Sequence, residues 1–164
     1  MRFEHVNTYP ATAAEVLEML GDADFRERVC EYIHATEYSV EVTGTGTGTE
    51  PTVVEVSQTQ VARKIPSIAQ KFVGDTVQIV QRETWTSVDA ATFDMVIPGK
   101  PGQLRGTISL RERDGQCDEV FAGEVKVQVP LVGGKLESFV SDLLKKMLAA
   151  EGRVGVSWLE ESRG

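Results

Sequence analysis

The chain has 164 residues, of which 41% are hydrophobic and 26% are charged, and its formal net charge at pH 7 is −8. This length and composition suit one globular domain with a single core. An acidic surface repels the phosphates of nucleic acids and of anionic membranes. We therefore expect that the protein neither binds nucleic acid nor inserts stably into a membrane.

The N-terminal segment holds no apolar run typical of a signal peptide, and no stretch of about 18 apolar residues is present that could span a bilayer. Cys30 and Cys117 lie far apart in the sequence and form no metal-binding pattern. The sequence alone is also compatible with a single disulfide between them. His5 and His34 are too few and too separated to indicate zinc. We expect a cytoplasmic protein with reduced cysteines and without a metal ion or cofactor.

Seven segments show the alternation of apolar and polar residues that is typical of half-buried strands. They cover residues 2–8, 38–43, 52–61, 76–87, 91–98, 103–113 and 116–129. The segment TGTGTGTE, from Thr43 to Glu50, leads into a strand and not into a helix. It is therefore interpreted as a hairpin loop rather than as a phosphate-binding loop.

Four helical segments are predicted between and after these strands. Thr12 and Glu15 form a capping box that begins a short helix. A second helix follows it, with apolar residues at Phe25, Val29, Tyr32 and Ile33. A third, short helix lies between Pro66 and Gly74. In the last segment, apolar residues recur every three or four positions, as in an amphipathic helix. These residues are Leu136, Phe139, Val140, Leu143, Leu144, Met147 and Leu148.

Two glycines are predicted to face each other across the last hairpin. Asp114 and Gly115 favour a two-residue turn, and this turn places Gly106 opposite Gly123 on the apolar face of the sheet. A pair of facing glycines removes side-chain bulk and lets a sheet bend. The alternative, in which each glycine lies at a bulge, stays open.

The preceding hairpin is predicted to keep the apolar faces in register. A turn around residues 99–102 would place Met95 opposite Gly106 and Phe93 opposite Ile108. A sheet with one buried face requires such a register, because a shift of one residue would move every side chain to the other face.

The apolar side of the terminal helix needs a partner surface, and the concave face of the bent sheet is the large apolar surface left. Burying seven such residues is worth roughly 10–20 kcal/mol, at about 1.5–3 kcal/mol each. The helix is therefore predicted to lie in the hollow of the sheet. Gly152 and Gly155 predict a weaker helix near its end. We expect a single domain over residues 1–160 and a flexible tail over 161–164.

The order of these elements resembles that of the helix-grip superfamily, the SRPBCC proteins, which include START-type lipid-transfer domains, polyketide cyclases and the birch-pollen allergen group. VPLVGGKLESFVSDLL (129–144) resembles their junction between last strand and terminal helix, and ATAAEVLEMLGDADF (11–25) resembles their early helix pair. KFVGDTVQIVQRETW (71–85) and IPGKPGQLRG (97–106) resemble an actinobacterial family of unknown function within that superfamily.

This resemblance implies an α+β helix-grip fold. In that fold a seven-stranded curved antiparallel sheet wraps around a long C-terminal helix, and two short helices follow the first strand. It also implies that an apolar ligand is held between the sheet and the terminal helix. Function is implied by analogy alone, because the superfamily includes transfer proteins, enzymes and co-chaperones.

The residues expected to line a ligand cavity lie on the inward faces of the strands and of the terminal helix. They are Val77, Ile79, Gln81, Glu83, Trp85, Phe93, Met95, Gly106, Phe121, Gly123, Phe139 and Leu143. Alternation places Gln81 and Glu83 on the apolar face. There they either fix the polar group of a ligand, or turn to solvent at a bulge or bond to backbone at the sheet rim.

The leading hypothesis is a binding or carrier domain for a small apolar molecule, such as a lipid, an isoprenoid, a polyketide or a sterol-like compound. One alternative is a small cyclase or hydratase that uses Glu83 with Gln81 or His5, although no catalytic motif is present. Another is a protein-interaction module with a filled core. The segment Arg63–Val73 is interpreted either as a lid over the cavity or as a helical turn packed at the sheet rim. The sequence is also compatible with a homodimer.

Overall fold

The computed structural model describes residues 1–44, 50–62 and 65–164. Its strands are β1 (Arg2–Tyr9), β2 (Glu37–Thr43), β3 (Thr52–Val61), β4 (Thr76–Trp85), β5 (Ala90–Val96), β6 (Gly102–Arg113) and β7 (Gln116–Val127). Its helices are α1 (Ala13–Leu20), α2 (Ala23–Tyr32), α3 (Ser67–Val73) and α4 (Gly133–Arg163). The loop interpretation of TGTGTGTE falls largely on residues 45–49, which lie outside the described part of the chain.

The strands form one antiparallel sheet in the order β1-β7-β6-β5-β4-β3-β2. The sheet is curved, and α4 packs in its hollow. This confirms the predicted α+β helix-grip fold. Strands β4, β5 and β7 end about two residues earlier than the alternation predicts. Cys30 and Cys117 are both buried and are not bridged to each other.

The helix starts follow the predicted capping chemistry. The Thr12 hydroxyl accepts a hydrogen bond of 3.2 Å from the Glu15 amide, and the Glu15 carboxylate accepts one of 3.3 Å from the Thr12 amide. The prediction for α2 was partly wrong, because Tyr32 is 50% exposed while Arg26 is buried. The buried side of α2 is therefore turned toward Arg26, whose side chain finds partners inside the protein.

The last hairpin confirms the glycine pair. Asp114 and Gly115 have φ angles of 51° and 78°, as a type I′ turn requires, and Gly106 is paired with Gly123. A Cβ atom on Gly106 would lie 2.1 Å from the backbone oxygen of Ala122. The two backbones therefore meet at a point where no side chain fits.

The predicted register of the preceding hairpin is wrong by two residues. Phe93 is paired with Gly106, and Met95 is paired with Leu104. The predicted pairs of Met95 with Gly106 and of Phe93 with Ile108 do not form. Both registers keep the same side chains on the inward face, since the shift is an even number of residues.

The turn between β5 and β6 begins earlier than the predicted turn around residues 99–102. The Lys100 amide donates a hydrogen bond of 2.9 Å to the Ile97 carbonyl, so Pro98 and Gly99 are the two central residues of the turn. Gly99 has a φ of 74°. Proline followed by a glycine with positive φ is the preferred centre of a type II turn. Residues 97–101 connect the two strands, and Gly102 already belongs to β6.

Helix α4 continues without interruption to Arg163, into the segment predicted as a tail. Gly152 and Gly155 do not end it. A Cβ atom on Gly152 would lie 2.5 Å from the Asn7 side-chain oxygen, and one on Gly155 would lie 2.5 Å from the Tyr9 ring. The two glycines therefore make room for side chains of β1 against the helix, and this packing outweighs their low helix propensity.

Candidate functional site

An apolar cavity lies between the concave face of the sheet, α3 and the first turns of α4. Phe72 and Val73 border it from α3, Val77 from β4, and Phe139 and Leu143 from α4. Its volume is about 40 Å³. Ligand pockets for drug-sized molecules usually measure about 300–1,000 Å³. In this conformation the cavity is therefore largely closed.

Helix α3 closes the outer end of this cavity. Ala69 is buried in an apolar cluster with Val127 and Leu136, and Phe72 packs against the same cluster. The helix has seven residues and no side-chain hydrogen bond caps its N-terminus. Short helices owe their stability to packing and not to their own hydrogen bonds. The contacts of Ala69 and Phe72 therefore hold α3 in place.

Two smaller voids continue inward from the apolar cavity beneath α4. The middle void has a volume of about 10 Å³ and is bordered by Ile79 and Leu144. The inner void has a volume of about 20 Å³ and is bordered by Gln81, Met147 and Glu151. The three spaces thus follow successive inward positions of β4 and successive turns of α4.

A buried ionic cluster lies at the inner end of this row. The Arg26 guanidinium donates hydrogen bonds of 2.8 Å to Glu83, 3.1 Å to Glu151 and 2.7 Å to the Leu20 carbonyl. All three charged side chains are buried. The guanidinium therefore joins α2 to β4 and to α4 through direct contacts.

Glu83 is held on both of its carboxylate oxygens. Oε2 accepts a hydrogen bond of 2.9 Å from the Trp85 indole in addition to that from Arg26, and Oε1 accepts one from the Gln81 amide. Strand β4 pairs with β3 without interruption from Thr76 to Trp85, so Gln81 and Glu83 face inward and no bulge turns them to solvent. This arrangement makes Glu83 an anchor for Arg26.

A second buried carboxyl group lies on β7. Glu119 accepts hydrogen bonds of 2.9 Å from the Tyr9 hydroxyl and 3.4 Å from the Asn7 amide. Asn7 also donates one of 2.9 Å to the Leu148 carbonyl on α4. Oε1 of Glu119 and Oε1 of Glu151 are buried without a hydrogen-bond partner among the described residues. Each of these oxygens can still accept a hydrogen bond.

Burial shifts the proton equilibria of three of these groups. Burial, with the nearby charges of Glu151 and Glu83, raises the pKa of Glu119 well above its ordinary value. Burial raises the pKa of Glu151 to about 7, although the positive charge of Arg26 acts to lower it. Burial and the charge of Glu119 raise the pKa of Tyr9 well above its ordinary value. Glu119 and Glu151 therefore keep their protons at pH values at which an exposed carboxyl group has lost its own.

The structure divides the predicted site residues into two groups. Six of them border the row of voids, namely Val77, Ile79, Gln81, Met95, Phe139 and Leu143. Six others contribute to the core or to the strand contacts and do not border these voids, namely Glu83, Trp85, Phe93, Gly106, Phe121 and Gly123. Phe93 and Phe121 pack edge to face with their ring centres 5.7 Å apart.

Four polar residues of this region were not predicted from the sequence, namely Tyr9, Arg26, Glu119 and Glu151. The sequence pattern could have indicated three of them. Arg26, Glu119 and Glu151 occupy positions that the helical or strand period assigns to the apolar face. Charged residues at such positions are seldom buried unless they are paired.

An open groove of about 770 Å³ lies outside the sheet, between β1, α2 and α4. It is larger than the internal voids, and one ion pair and one hydrogen bond of a charged side chain lie along it. Arg28 contacts Glu161 at 2.6 Å, and Arg153 donates a hydrogen bond of 3.3 Å to Tyr32. The groove is open to solvent and has polar as well as apolar walls, whereas the internal cavity is more enclosed and almost wholly apolar, so the internal cavity is the better candidate.

Within the described ranges, no three His, Cys, Asp or Glu side chains cluster in a way that could hold a metal ion. No helix in those ranges has the length and apolar character needed to cross a membrane.

The fold is similar to that of several solved structures. TTHA0849 from Thermus thermophilus is 17% identical and has a TM-score of 0.62, over 96% of this chain and 98% of that chain. Norcoclaurine synthase from Thalictrum flavum is 15% identical with a TM-score of 0.60, over 98% and 87%. The di-domain ARO/CYC StfQ from the steffimycin biosynthetic pathway is 12% identical with a TM-score of 0.66, over 99% and 52%. At these identities the likeness shows the fold alone.

No curated protein matches the chain. A family model described as "Protein of unknown function (DUF2505)" matches residues 4–159, which is nearly the whole chain. The shared fold confirms the resemblance to the helix-grip superfamily. The chain therefore belongs to the DUF2505 family.

Proposed function

We propose that the protein binds a small apolar molecule between the concave sheet, α3 and α4. The observation that carries this proposal is the apolar cavity at that place, which Lys100 borders as its one charged residue among those described. A concave space with an apolar lining and few polar groups is the usual form of a site for a small organic molecule.

A ligand enters by displacement of α3, which serves as the lid. Moving α3 aside exposes Ala69 and Phe72, at a cost of at most about 3 kcal/mol for Phe72, which is only partly buried. A ligand that buries a comparable apolar area offsets this cost. The closed volume of about 40 Å³ then describes the state without ligand.

The names of two proteins of similar structure support the proposal that the ligand is a small organic molecule. One is a norcoclaurine synthase, and the other is an ARO/CYC protein of the steffimycin biosynthetic pathway. Catalysis by Glu83 is less well supported in this chain, because both oxygens of Glu83 already accept hydrogen bonds from neighbouring side chains.

The small volume of the cavity favours a second candidate, a protein-interaction module with a filled core. Its fold would be the same, but α3 would be a fixed part of the core. The two candidates differ in one property, which is the ability of the interior to take up an apolar molecule.

A titration with 1,6-diphenyl-1,3,5-hexatriene, a neutral apolar fluorophore, tests this property. We expect saturable binding to the wild-type protein and a loss of binding in Leu143→Trp, whose indole fills the cavity. Lys146→Trp is the matched control, since it adds the same side chain on the exposed side of α4 and retains binding. A folded wild-type protein that does not bind the fluorophore would contradict the proposal and favour the filled core.

A further inference from the structure

The row of voids has two chemically different ends. The outer end is the apolar cavity beside Phe72 and Phe139, and the inner end is the void beside Glu151. Glu151 lies twelve positions after Phe139 on α4, which corresponds to roughly 18 Å of helix. The space beneath α4 therefore suits an elongated molecule with unlike ends.

The inner end presents an acceptor without a donor. Glu151 is 4% exposed, its Oε2 atom accepts from Arg26, and its Oε1 atom has no partner among the described residues. The inner void of about 20 Å³ beside it has room for one group the size of a water molecule. A buried acceptor left unpaired is costly, so a donor at this point is stabilised.

The charges around the inner void select the kind of donor. Arg26 already donates to Glu83, Glu151 and a backbone carbonyl. Above about pH 7, where Glu151 is ionised, the carboxylates outnumber the guanidinium, so an anionic head group would be repelled. A cationic head group would lose its hydration on entering so deep a site. A neutral hydroxyl group can donate to Glu151 without either cost.

One turn of α4, from Leu144 to Met147, separates the middle void from the inner void. Methionine side chains are unbranched and change rotamer easily. A rotamer change of Met147 can therefore join the two voids without a shift of the backbone.

We propose that the ligand is a neutral apolar molecule with a terminal hydroxyl group, such as a long-chain alcohol, and that it lies along α4 with the hydroxyl group donating to Glu151. This inference rests on the proposed function and adds to it the chemical class and the direction of the ligand. The apolar end then lies beneath α3, where the lid closes over it.

The test compares 1-dodecanol with dodecyl methyl ether, which has the same chain but no donor. At about pH 8.5 the Glu151 carboxyl group, with its pKa of about 7, is ionised and accepts. We expect the wild-type protein to bind the alcohol at least about tenfold more tightly than the ether, because only the alcohol can donate a hydrogen bond to the charged Glu151 carboxylate. In Glu151→Gln the amide turns a donor toward the void, and this preference disappears.

A second measurement does not depend on the variant's folding. With methyl-labelled wild-type protein, intermolecular NOEs are expected from the hydroxymethylene protons of 1-dodecanol to Met147, and from its terminal methyl to Val73 and Val77. The reverse pattern would overturn the proposed direction.

The outcomes separate the two proposals. Equal affinity for alcohol and ether, as an internal water at Glu151 would produce, overturns this inference and leaves the proposed function standing if diphenylhexatriene binds. If neither the alcohol, the ether nor diphenylhexatriene binds, the proposed function itself fails.

Discussion

Arg26 on α2 donates a hydrogen bond of 2.8 Å to Glu83 on β4, across 57 residues of sequence. The same guanidinium contacts Glu151 on α4 at 3.1 Å. The inner end of the space beneath α4 is thus fixed by charged hydrogen bonds. Its outer end is closed by the apolar contacts of Ala69 and Phe72 on α3. Apolar contacts lack directional geometry, so the outer end is the one expected to open for a ligand.

Removal of the guanidinium should strongly destabilise the folded protein. Arg26→Met leaves Glu83 and Glu151 buried without a counter-charge, and we expect the free energy of unfolding to fall by about 3–5 kcal/mol. Arg82→Met is the matched control, because it breaks the exposed pair with Glu55 and should cost less than about 1 kcal/mol. Urea unfolding measures both, and equal losses would contradict the role given to Arg26.

The stability should fall as the pH rises from about 5 to 8. Burial raises the folded-state pKa of Glu119 and Glu151 above the value of 4.5 that applies to the unfolded chain. The folded state therefore holds more protons in this range. The contribution of Glu151 is complete below pH 4.5 and is lost as the pH passes about 7. The raised pKa of Glu119 changes the stability in the same direction.

Each carboxyl group should contribute a slope of the order of 1 kcal/mol per pH unit. Glu119→Gln removes one of the two groups and should make the slope shallower. Urea unfolding across this pH range measures the slope. A stability that is flat or rises with pH would show that these carboxyl groups are ionised in the folded protein.

The glycine pair should not tolerate side chains. Gly106→Ala places a Cβ atom 2.1 Å from a backbone oxygen of the facing strand, and Gly123→Ala places one at 2.2 Å. Each should lower the free energy of unfolding by about 3 kcal/mol. Gly134→Ala, on the exposed first turn of α4, meets no atom within 4 Å and should be neutral or stabilising by up to about 1 kcal/mol. Thermal unfolding of the three variants decides this point.

Weaker packing of α3 should speed ligand exchange. Phe72→Ala removes an apolar contact that holds the lid, so the association and dissociation rates of diphenylhexatriene should both rise several-fold. Stopped-flow fluorescence measures these rates. Val88→Ala, at a 51% exposed site between β4 and β5, is the control and should leave them unchanged. A lower melting temperature of Phe72→Ala with unchanged rates would make α3 a packed element and not a lid.

The fold was predictable because local chemistry specifies it. Alternation marks the strands, the capping box of Thr12 marks α1, and the Asp114-Gly115 turn determines which residues face each other in the last hairpin. The register error between β5 and β6 arose where residues 97–102 offer several turn residues. The Pro98-Gly99 pair forms the turn, since it satisfies both central positions of a type II turn.

The candidate site was predictable in part. Its apolar wall follows from periodicity, which assigned Val77 and Leu143 to inward faces. The ionic cluster does not follow, because the sequence shows which face a residue occupies but not which faces meet. Arg26 and Glu151 are 125 residues apart and come together only through the packing of α2 against α4. The volume of the cavity likewise depends on side-chain packing, which no pattern records.

The most direct test of the central claim is an NMR titration of the methyl-labelled protein with 1-dodecanol. If the space beneath α4 opens to take an apolar molecule, the methyl signals of Val73, Val77 and Leu143 will shift saturably while that of Val88 stays in place. Unchanged signals for these three lining residues, or shifts confined to Val6 in the outer groove, would contradict the account.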